Sequence, residues 1–260
     1  MNSTISIDGT QIAYEKSGNG KPIIIIGGSL ADHQMYVPLA NELSKSFTLF
    51  NYDRRNRGES GKTSVHTTET ELQDLEAIVS LCNEAPTLYG HSAGAALAIR
   101  AVAGGLQTHK LILSDLPFSV LNAESENEAK KFEQEAKSIK ALLSKGNKVE
   151  AVKFFLKDFG MNEQELNDFV ESNSGNQAVS NSNTLLIDYE ILGNGLTPSA
   201  FLKSIPLPTL VLTSDYGLAV ANDTAKYLSN CKLAILESPT YNLPASEIAI
   251  PILNFIEQRQ

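Results

Sequence analysis

The chain has 260 residues and a net charge of −9, from 21 Lys and Arg against 30 Asp and Glu. That balance excludes nucleic acid and anionic membrane surfaces as natural partners. No apolar run approaches the roughly 18 residues of a membrane span, and Met1–Asp8 has neither the basic start nor the apolar core of a secretory signal.

The order of elements follows from periodicity. Ser3–Ile7 and Gln11–Glu15 alternate about an Asp8-Gly9-Thr10 turn and predict a hairpin. Pro22–Ile26 is a continuous β-branched run, the mark of a buried parallel strand, and Gly27-Gly28-Ser29-Leu30 turns the backbone at its end. Val37–Leu43 has helical spacing, and Phe47–Tyr52 is the next apolar strand. It runs into a charged loop, Asp53-Arg54-Arg55-Asn56-Arg57-Gly58-Glu59-Ser60, read as a salt-bridged brace for the neighbouring strand ends. Thr68-Glu69-Thr70-Glu71 predicts a capping box, followed by an amphipathic helix with Leu72, Leu75, Ile78 and Val79 on one face. Pro86–Tyr89 and Lys110–Ser114 are strands, separated by the small-residue helix Ala93–Ala103 that Gly104-Gly105 ends.

The texture changes between residues 118 and 205. Ala123–Leu143 predicts a long charged helix, and Asn147–Glu150 and Asn162–Glu165 predict two more capping boxes. Phe154, Phe155, Phe159, Met161 and Phe169 are the candidate apolar core of this segment. Glu171–Asn183 is polar and predicts a mobile loop. Thr184–Leu192 and Ser199–Lys203 predict short helices, and no strand pattern occurs. Strands return at Thr209–Thr213 and Lys232–Leu236, with helices at Asn222–Leu228 and Ser246–Glu257. Alternating strands and helices give an α/β fold with a mostly parallel central sheet flanked by helices. Residues 1–117 and 206–260 form the core, and residues 118–205 an inserted helical cap.

The organising motif is Gly90-His91-Ser92-Ala93-Gly94, a G-x-S-x-G turn between a strand and a helix. Glycines at its first and last positions let the strand, turn and helix approach closely. The turn lifts the serine hydroxyl above the sheet, and the helix N-terminus favours developing negative charge there. Together with the Gly27-Gly28-Ser29 turn, the Asp53–Ser60 loop, the strand ending at Asp215 and the final loop Pro239-Thr240-Tyr241-Asn242, this chain resembles the α/β-hydrolase superfamily over its whole length. The Asp53-Arg54-Arg55 variant and Asp115-Leu116-Pro117-Phe118 resemble small capped bacterial members.

The resemblance implies Ser92 as nucleophile, the backbone N–H groups of Ser29 and Ala93 as the oxyanion hole, and a histidine base oriented by a carboxylate. It implies hydrolysis of a small carboxylic ester, thioester or lactone, with a small, lipophilic or acyl ligand as the partner, no cofactor and no metal. The chain departs from that pattern at three places. Gly27-Gly28 stands where the family's oxyanion turn has His-Gly, which is tolerated because the donor is a backbone group. Gly217 stands at the family's aspartate position, which leaves Asp215 or Asp115 as the acid. Tyr241 stands at the histidine's position, and none of the four histidines (His33, His66, His91, His109) lies beyond residue 109. A phenol with a pKa of about 10 is a poor proton acceptor at neutral pH, and losing the histidine from such a triad costs about 10⁶-fold in turnover. His33, four residues past Ser29, is the candidate substitute base, against an ordinary reading as an exposed loop histidine. His91 reads as a packed structural residue. The alternatives are a non-hydrolytic small-molecule-binding protein, as with plant hormone receptors of this fold, or a non-hydrolytic enzyme using Ser92 and Tyr241. Cys82 and Cys231 lack metal-ligand spacing and fit a reducing, cytoplasmic setting.

Overall fold

The computed structural model describes residues 1–120, 126–193, 195–197 and 199–257, and of residues 119, 120, 126, 128, 196, 197 and 241 the backbone only. Eight strands form one sheet: β1 (Asn2–Ile5), β2 (Gln11–Ser17), β3 (Pro22–Ile26), β4 (Thr48–Tyr52), β5 (Thr87–His91), β6 (Lys110–Ser114), β9 (Thr209–Ser214) and β10 (Cys231–Leu236). Their order is β1-β2-β4-β3-β5-β6-β9-β10. The β1–β2 and β2–β4 pairs are antiparallel and all others parallel. The all-isoleucine run Ile23–Ile26 is buried on both faces, as a central parallel strand requires.

Helices cover both faces. α2 (Thr68–Val79) and α3 (Ala93–Ala103) pack on one side, where Leu75, Ile78, Leu97 and Ile99 meet Ile24, Ile26 and Leu111. α1 (His33–Leu43) and α11 (Ala245–Glu257) pack on the other, through Leu39, Leu43, Ile248 and Ile252. α10 (Leu218–Ala225) lies between β9 and β10 in sequence and begins four residues before the predicted Asn222. α1 likewise begins four residues earlier than its apolar spacing predicts. Asp32 caps it by accepting from the Gln34 N–H, and Pro38 sits inside it.

Between β6 and β9 the chain makes α4 (Glu126–Ser144), α5 (Lys148–Lys157), α6 (Glu163–Glu171), α7 (Asn173–Asn181), α8 (Leu185–Leu192) and α9 (Ser199–Lys203). The first residues of the predicted Ala123–Leu143 helix lie outside the described residues. Two strand fragments, β7 (Ser119–Val120) and β8 (Leu196–Thr197), pair in parallel across the base of this insertion, where the sequence predicts no strand.

The predicted loop at Glu171–Asn183 is instead α7. Ser172 caps it by accepting from the Gly175 N–H, and a β-carbon on Gly175 would lie 1.8 Å from the Phe169 carbonyl oxygen. Ala178 and Asn181 are buried, so polar composition concealed a packed helix. The capping boxes also redistribute. The box at Asn162 forms as predicted. Asn147 caps α5 without a side-chain bond. On α2 the box is Thr67 with Thr70, because Glu71 is buried against Arg54. The insertion's apolar cluster comprises Leu30, Ile139, Val152, Ala178, Leu185 and Tyr189, with Phe155 and Phe169 against it, while Phe154 and Phe159 are exposed. Phe118, Ile187, Ile191, Leu202 and Ile205 instead join the cluster beneath α3.

Candidate active site

Ser92 stands between β5 and α3 with φ +52°, a backbone conformation that L residues rarely adopt. Its N–H donates to the Ser114 carbonyl at 2.9 Å, which ties the turn to β6. The close approach behind it needs glycine: a β-carbon on Gly94 would lie 2.1 Å from the Ile26 carbonyl oxygen. Ala93 opens α3, so its N–H is one of the donors that a helix leaves unpaired at its start. The Ser29 N–H also has no acceptor among the described residues. A β-carbon on Gly28 would touch both the His91 ring and the Ser92 side chain, at 3.0 and 3.1 Å, so the Gly28–Ser29 turn lies directly against the serine.

The two candidate carboxylates have different surroundings. Asp215 begins the turn after β9 and is exposed, and its carboxylate has no hydrogen bond or ion pair among the described residues. Asp115 follows β6 with φ +48°. Its Oδ2 accepts from the Thr240 hydroxyl, accepts the Thr240 N–H at 3.2 Å, and lies 3.4 Å from His91 Nε2. Burial alone would raise the Asp115 carboxyl, but the His91 ring and Thr240 outweigh it and hold it below the ordinary value. Thr240 immediately precedes Tyr241 in a short 3₁₀ turn, so Asp115 fixes the loop that carries Tyr241. The Tyr241 side chain lies outside the described residues.

The rings of His33, His66 and His91 are held by neighbours. His91 is buried, and its Nδ1 lies 2.9 Å from the Tyr36 hydroxyl, which also accepts the Gly28 N–H at 2.8 Å. Burial pushes the Tyr36 phenol up, so it stays neutral and has one proton to give. The His91 tautomer with its hydrogen on Nε2 matches both contacts, accepting from Tyr36 at Nδ1 and facing Asp115 with Nε2–H. His33 is not an exposed loop residue. It is 4% exposed in the first turn of α1, with Nδ1 2.9 and 3.0 Å from the Asp53 carboxylate and Nε2 2.8 Å from the Gln34 amide. His66 joins Asn56 and Glu71, and His109 lies at the amino end of β6, away from the chemistry-bearing edge. Asp32, His33 and Asp53 bring ligand-type atoms within 4.8 Å of one another, but hydrogen bonds to α1 account for that arrangement.

The arginine loop is buried, and it braces the strand ends. Arg54 makes a bidentate pair with Glu71 at 2.9 Å, and Arg55 one with Asp74 at 2.6 and 2.7 Å. Glu71 is held below the ordinary carboxylate range: burial opposes this, but Arg54 and the His66 hydrogen bond prevail. The loop also reaches places that the sequence does not announce. Arg57 donates to the Gly28 carbonyl at 2.5 Å, and Arg54 and Arg57 both donate to Asp188 Oδ1 on α8, at 2.9 and 2.7 Å. Asp188, Tyr36 and Thr240 shape the site but escape sequence reading. The available signal for Asp188 is a charge within the apolar octad Leu185–Leu192 of a chain with three arginines in one loop.

A cavity of 360 Å³ lies between Leu116, Pro117, Phe118, Phe132, Tyr216 and Val220, with Lys131, Glu135 and Asp158 at its charged side. It borders the residues that follow Asp115 and Asp215, and Ser92 does not line it. Among the described residues no helix is long and apolar enough to cross a membrane.

Known proteins share this architecture. A crystal structure of an alpha/beta hydrolase from Sphaerobacter thermophilus DSM 20745 superposes with a TM-score of 0.87 at 30% identity, covering 98% of this chain and 100% of that one. An esterase from Exiguobacterium antarcticum superposes with a TM-score of 0.79 at 18% identity, covering 99% and 100%, a likeness of fold alone. The Bacillus subtilis (strain 168) AB hydrolase superfamily protein YisY is 36% identical over 104 residues, a stretch covering 38% of this chain and 39% of that relative. Residues 23–237 match the model of the alpha/beta hydrolase family, and the chain belongs to that family.

Proposed function

We propose that this chain is a serine-dependent hydrolase of small carboxylic esters, thioesters or lactones. Ser92 is the nucleophile, the Ser29 and Ala93 N–H groups bind the oxyanion, and the helical insertion is a cap over the site. The observation that carries this reading is the strained Ser92 backbone beside two N–H donors without acceptors among the described residues. Such strain costs about 1–3 kcal/mol and persists where a function uses it. Ser92 Oγ bonds to the acyl carbon while the carbonyl electron pair moves onto oxygen, where the two N–H groups meet it. The serine proton leaves to a base, the alkoxide or thiolate departs with a proton, and water repeats the sequence on the acyl-enzyme.

Asp115 is favoured over Asp215 as the carboxylate, because it is tied to the loop bearing Tyr241 whereas Asp215 faces solvent. The base belongs at Tyr241. A phenol in that role predicts a rate that climbs with pH toward about 10 instead of levelling near 7. Leu116, Phe118, Phe132 and Val220 give the neighbouring cavity an apolar part suited to an acyl or otherwise lipophilic group, beside the charged Lys131, Glu135 and Asp158. Two free thiols, with burial pushing both up to about 11, fit a reducing, cytoplasmic setting.

A second reading, a ligand-binding protein that keeps the scaffold without turnover, is favoured by one observation. The ring nitrogens of His33, His66 and His91 are all engaged by neighbours. Hydrolysis of p-nitrophenyl butyrate by wild type, Ser92→Ala and Tyr241→His separates the two. Activity abolished by Ser92→Ala and rising through pH 9 supports the hydrolase. Wild type equal to Ser92→Ala, with activity appearing only in Tyr241→His, supports the binding protein and ends the hydrolase reading.

A further inference from the structure

The turn that carries the Ser29 N–H is held at three carbonyls by side chains, and all three holds involve the helical insertion, because Arg54 and Arg57 both donate to Asp188. Arg54 donates to the Gly27 carbonyl at 3.3 Å, Arg57 to the Gly28 carbonyl at 2.5 Å, and Asn181 Nδ2 at the end of α7 to the Leu30 carbonyl at 3.0 Å. Arg57 is itself fixed by Asp188 of α8. Leu30 has φ +64° and buries its side chain in the insertion's apolar cluster. Residues other than glycine disfavour this left-handed backbone, and burial of the leucine side chain offsets that cost. The insertion therefore stabilises a turn conformation that the core alone disfavours.

The peptide plane gives this arrangement a direction. The Gly28 C=O and the Ser29 N–H belong to one planar trans unit and point in opposite directions. Whatever fixes the carbonyl fixes the N–H. From this geometry we infer that Arg57, seated by Asp188, is the positioning residue that aims the Ser29 N–H at the developing oxyanion, and that α7 and α8 are a fixed wall of the site. The inference rests on the reading of Ser29 as an oxyanion donor. Further anchors point the same way. The Thr68 N–H and hydroxyl both donate to Glu190 at 2.9 Å, and Arg100 Nε donates to the Ile191 carbonyl at 2.6 Å, so α8 is pinned along its length.

The test uses the ¹⁵N-labelled full chain as wild type, Arg57→Gln, Arg57→Lys and Asn181→Ala, with Lys137→Gln on the exposed face of α4 as control. Two readouts are taken on the folded protein: the Ser29 amide resonance, and kcat and KM for p-nitrophenyl butyrate. Losing an oxyanion donor outright costs about 10²–10³ in kcat, so a misaimed donor in Arg57→Gln is expected to lower kcat by about 10- to 100-fold. KM stays within about threefold, Arg57→Lys recovers part of the loss, and the Ser29 amide shifts while the Ala93 amide does not. Should Arg57→Gln fail to fold, Arg57→Lys and Asn181→Ala carry the same two readouts with smaller expected changes. A lowered melting temperature with kcat and the Ser29 amide unchanged would overturn the inference and leave Arg57 a structural residue. A wild type without turnover would instead remove the hydrolase reading, and the Ser29 amide alone would then decide whether Arg57 aims it.

Discussion

A β-carbon on Gly94 would lie 2.1 Å from the Ile26 carbonyl oxygen and 2.8 Å from that of Gly27. Backbone sits on both sides of the clash and cannot swing away. Gly94→Ala is therefore expected to lower stability by about 1–3 kcal/mol or more, read as a drop in the urea midpoint. Two other substitutions test which carboxylate is built into the site. Asp115→Asn weakens its interactions with Thr240 and His91 at a largely buried position and should cost about 1–3 kcal/mol. Asp215→Asn, on an exposed turn, should change stability by less than about 0.5 kcal/mol. Equal effects on thermal unfolding would contradict the assignment of Asp115. At this scale the sequence announced the serine, its flanking glycines and both aspartates. It could not announce that Asp115 meets Thr240, because the two are 125 positions apart and meet only where β6 and the last loop reach the same edge of the sheet.

Three asparagine or threonine caps look alike in sequence and differ in the folded chain. Asn162 accepts from the N–H groups of Gln164 and Glu165 while Glu165 returns to the Asn162 N–H, whereas Asn147 makes no capping bond. Asn162→Ala should therefore cost about 1 kcal/mol and Asn147→Ala close to nothing, a difference that paired chemical denaturation curves resolve. On α2 the box moved by one residue because Glu71 has a stronger partner in Arg54. α7 carries the same lesson in reverse. Its Ser/Asn-rich sequence has local hydrogen-bonding alternatives to a helix, yet Ser172 caps it and Asn181 reaches the Leu30 carbonyl.

Across the whole molecule, the buried Glu71 and the exposed Asp8 weaken the fold in acid, against an opposite pull from Asp53 and Asp74, whose carboxyls burial raises. Glu71 is held below its ordinary 4.5 by Arg54 against the cost of burial, and Asp8 is lowered from 3.8 to about 2, chiefly by its hydrogen bond to Arg55. Between each ordinary value and the lowered one, the unfolded chain binds more protons than the native chain, so stability falls as pH falls. These contributions are complete above about pH 5 and disappear as pH drops through the lowered values. A thermal-unfolding series should show a plateau down to about pH 5 and a decline below it. Glu71→Gln should lose stability at neutral pH, because it leaves Arg54 with a weaker partner, and should show a shallower acid limb than wild type. An acid limb of unchanged slope would contradict the role of Glu71.

The local sequence alone determined the strands of the main sheet, the helices that alternate with them and the serine turn. Each rests on a period of two or of about 3.6, on β-branched runs or on glycine where backbones touch, and these are properties of neighbouring residues. It also determined that no histidine follows residue 109, and so that the last loop supplies none. Tertiary structure decided what the charges do. Arg54, Arg55 and Arg57 became a buried brace because Glu71, Asp74 and Asp188 arrive from two helices elsewhere in the chain. It also decided that His33 belongs to Asp53, and that an insertion more than a hundred residues downstream grips the turn after β3. A buried charge needs a partner within a few ångströms, and which residue supplies it is a fact of three dimensions that spacing along the chain does not encode.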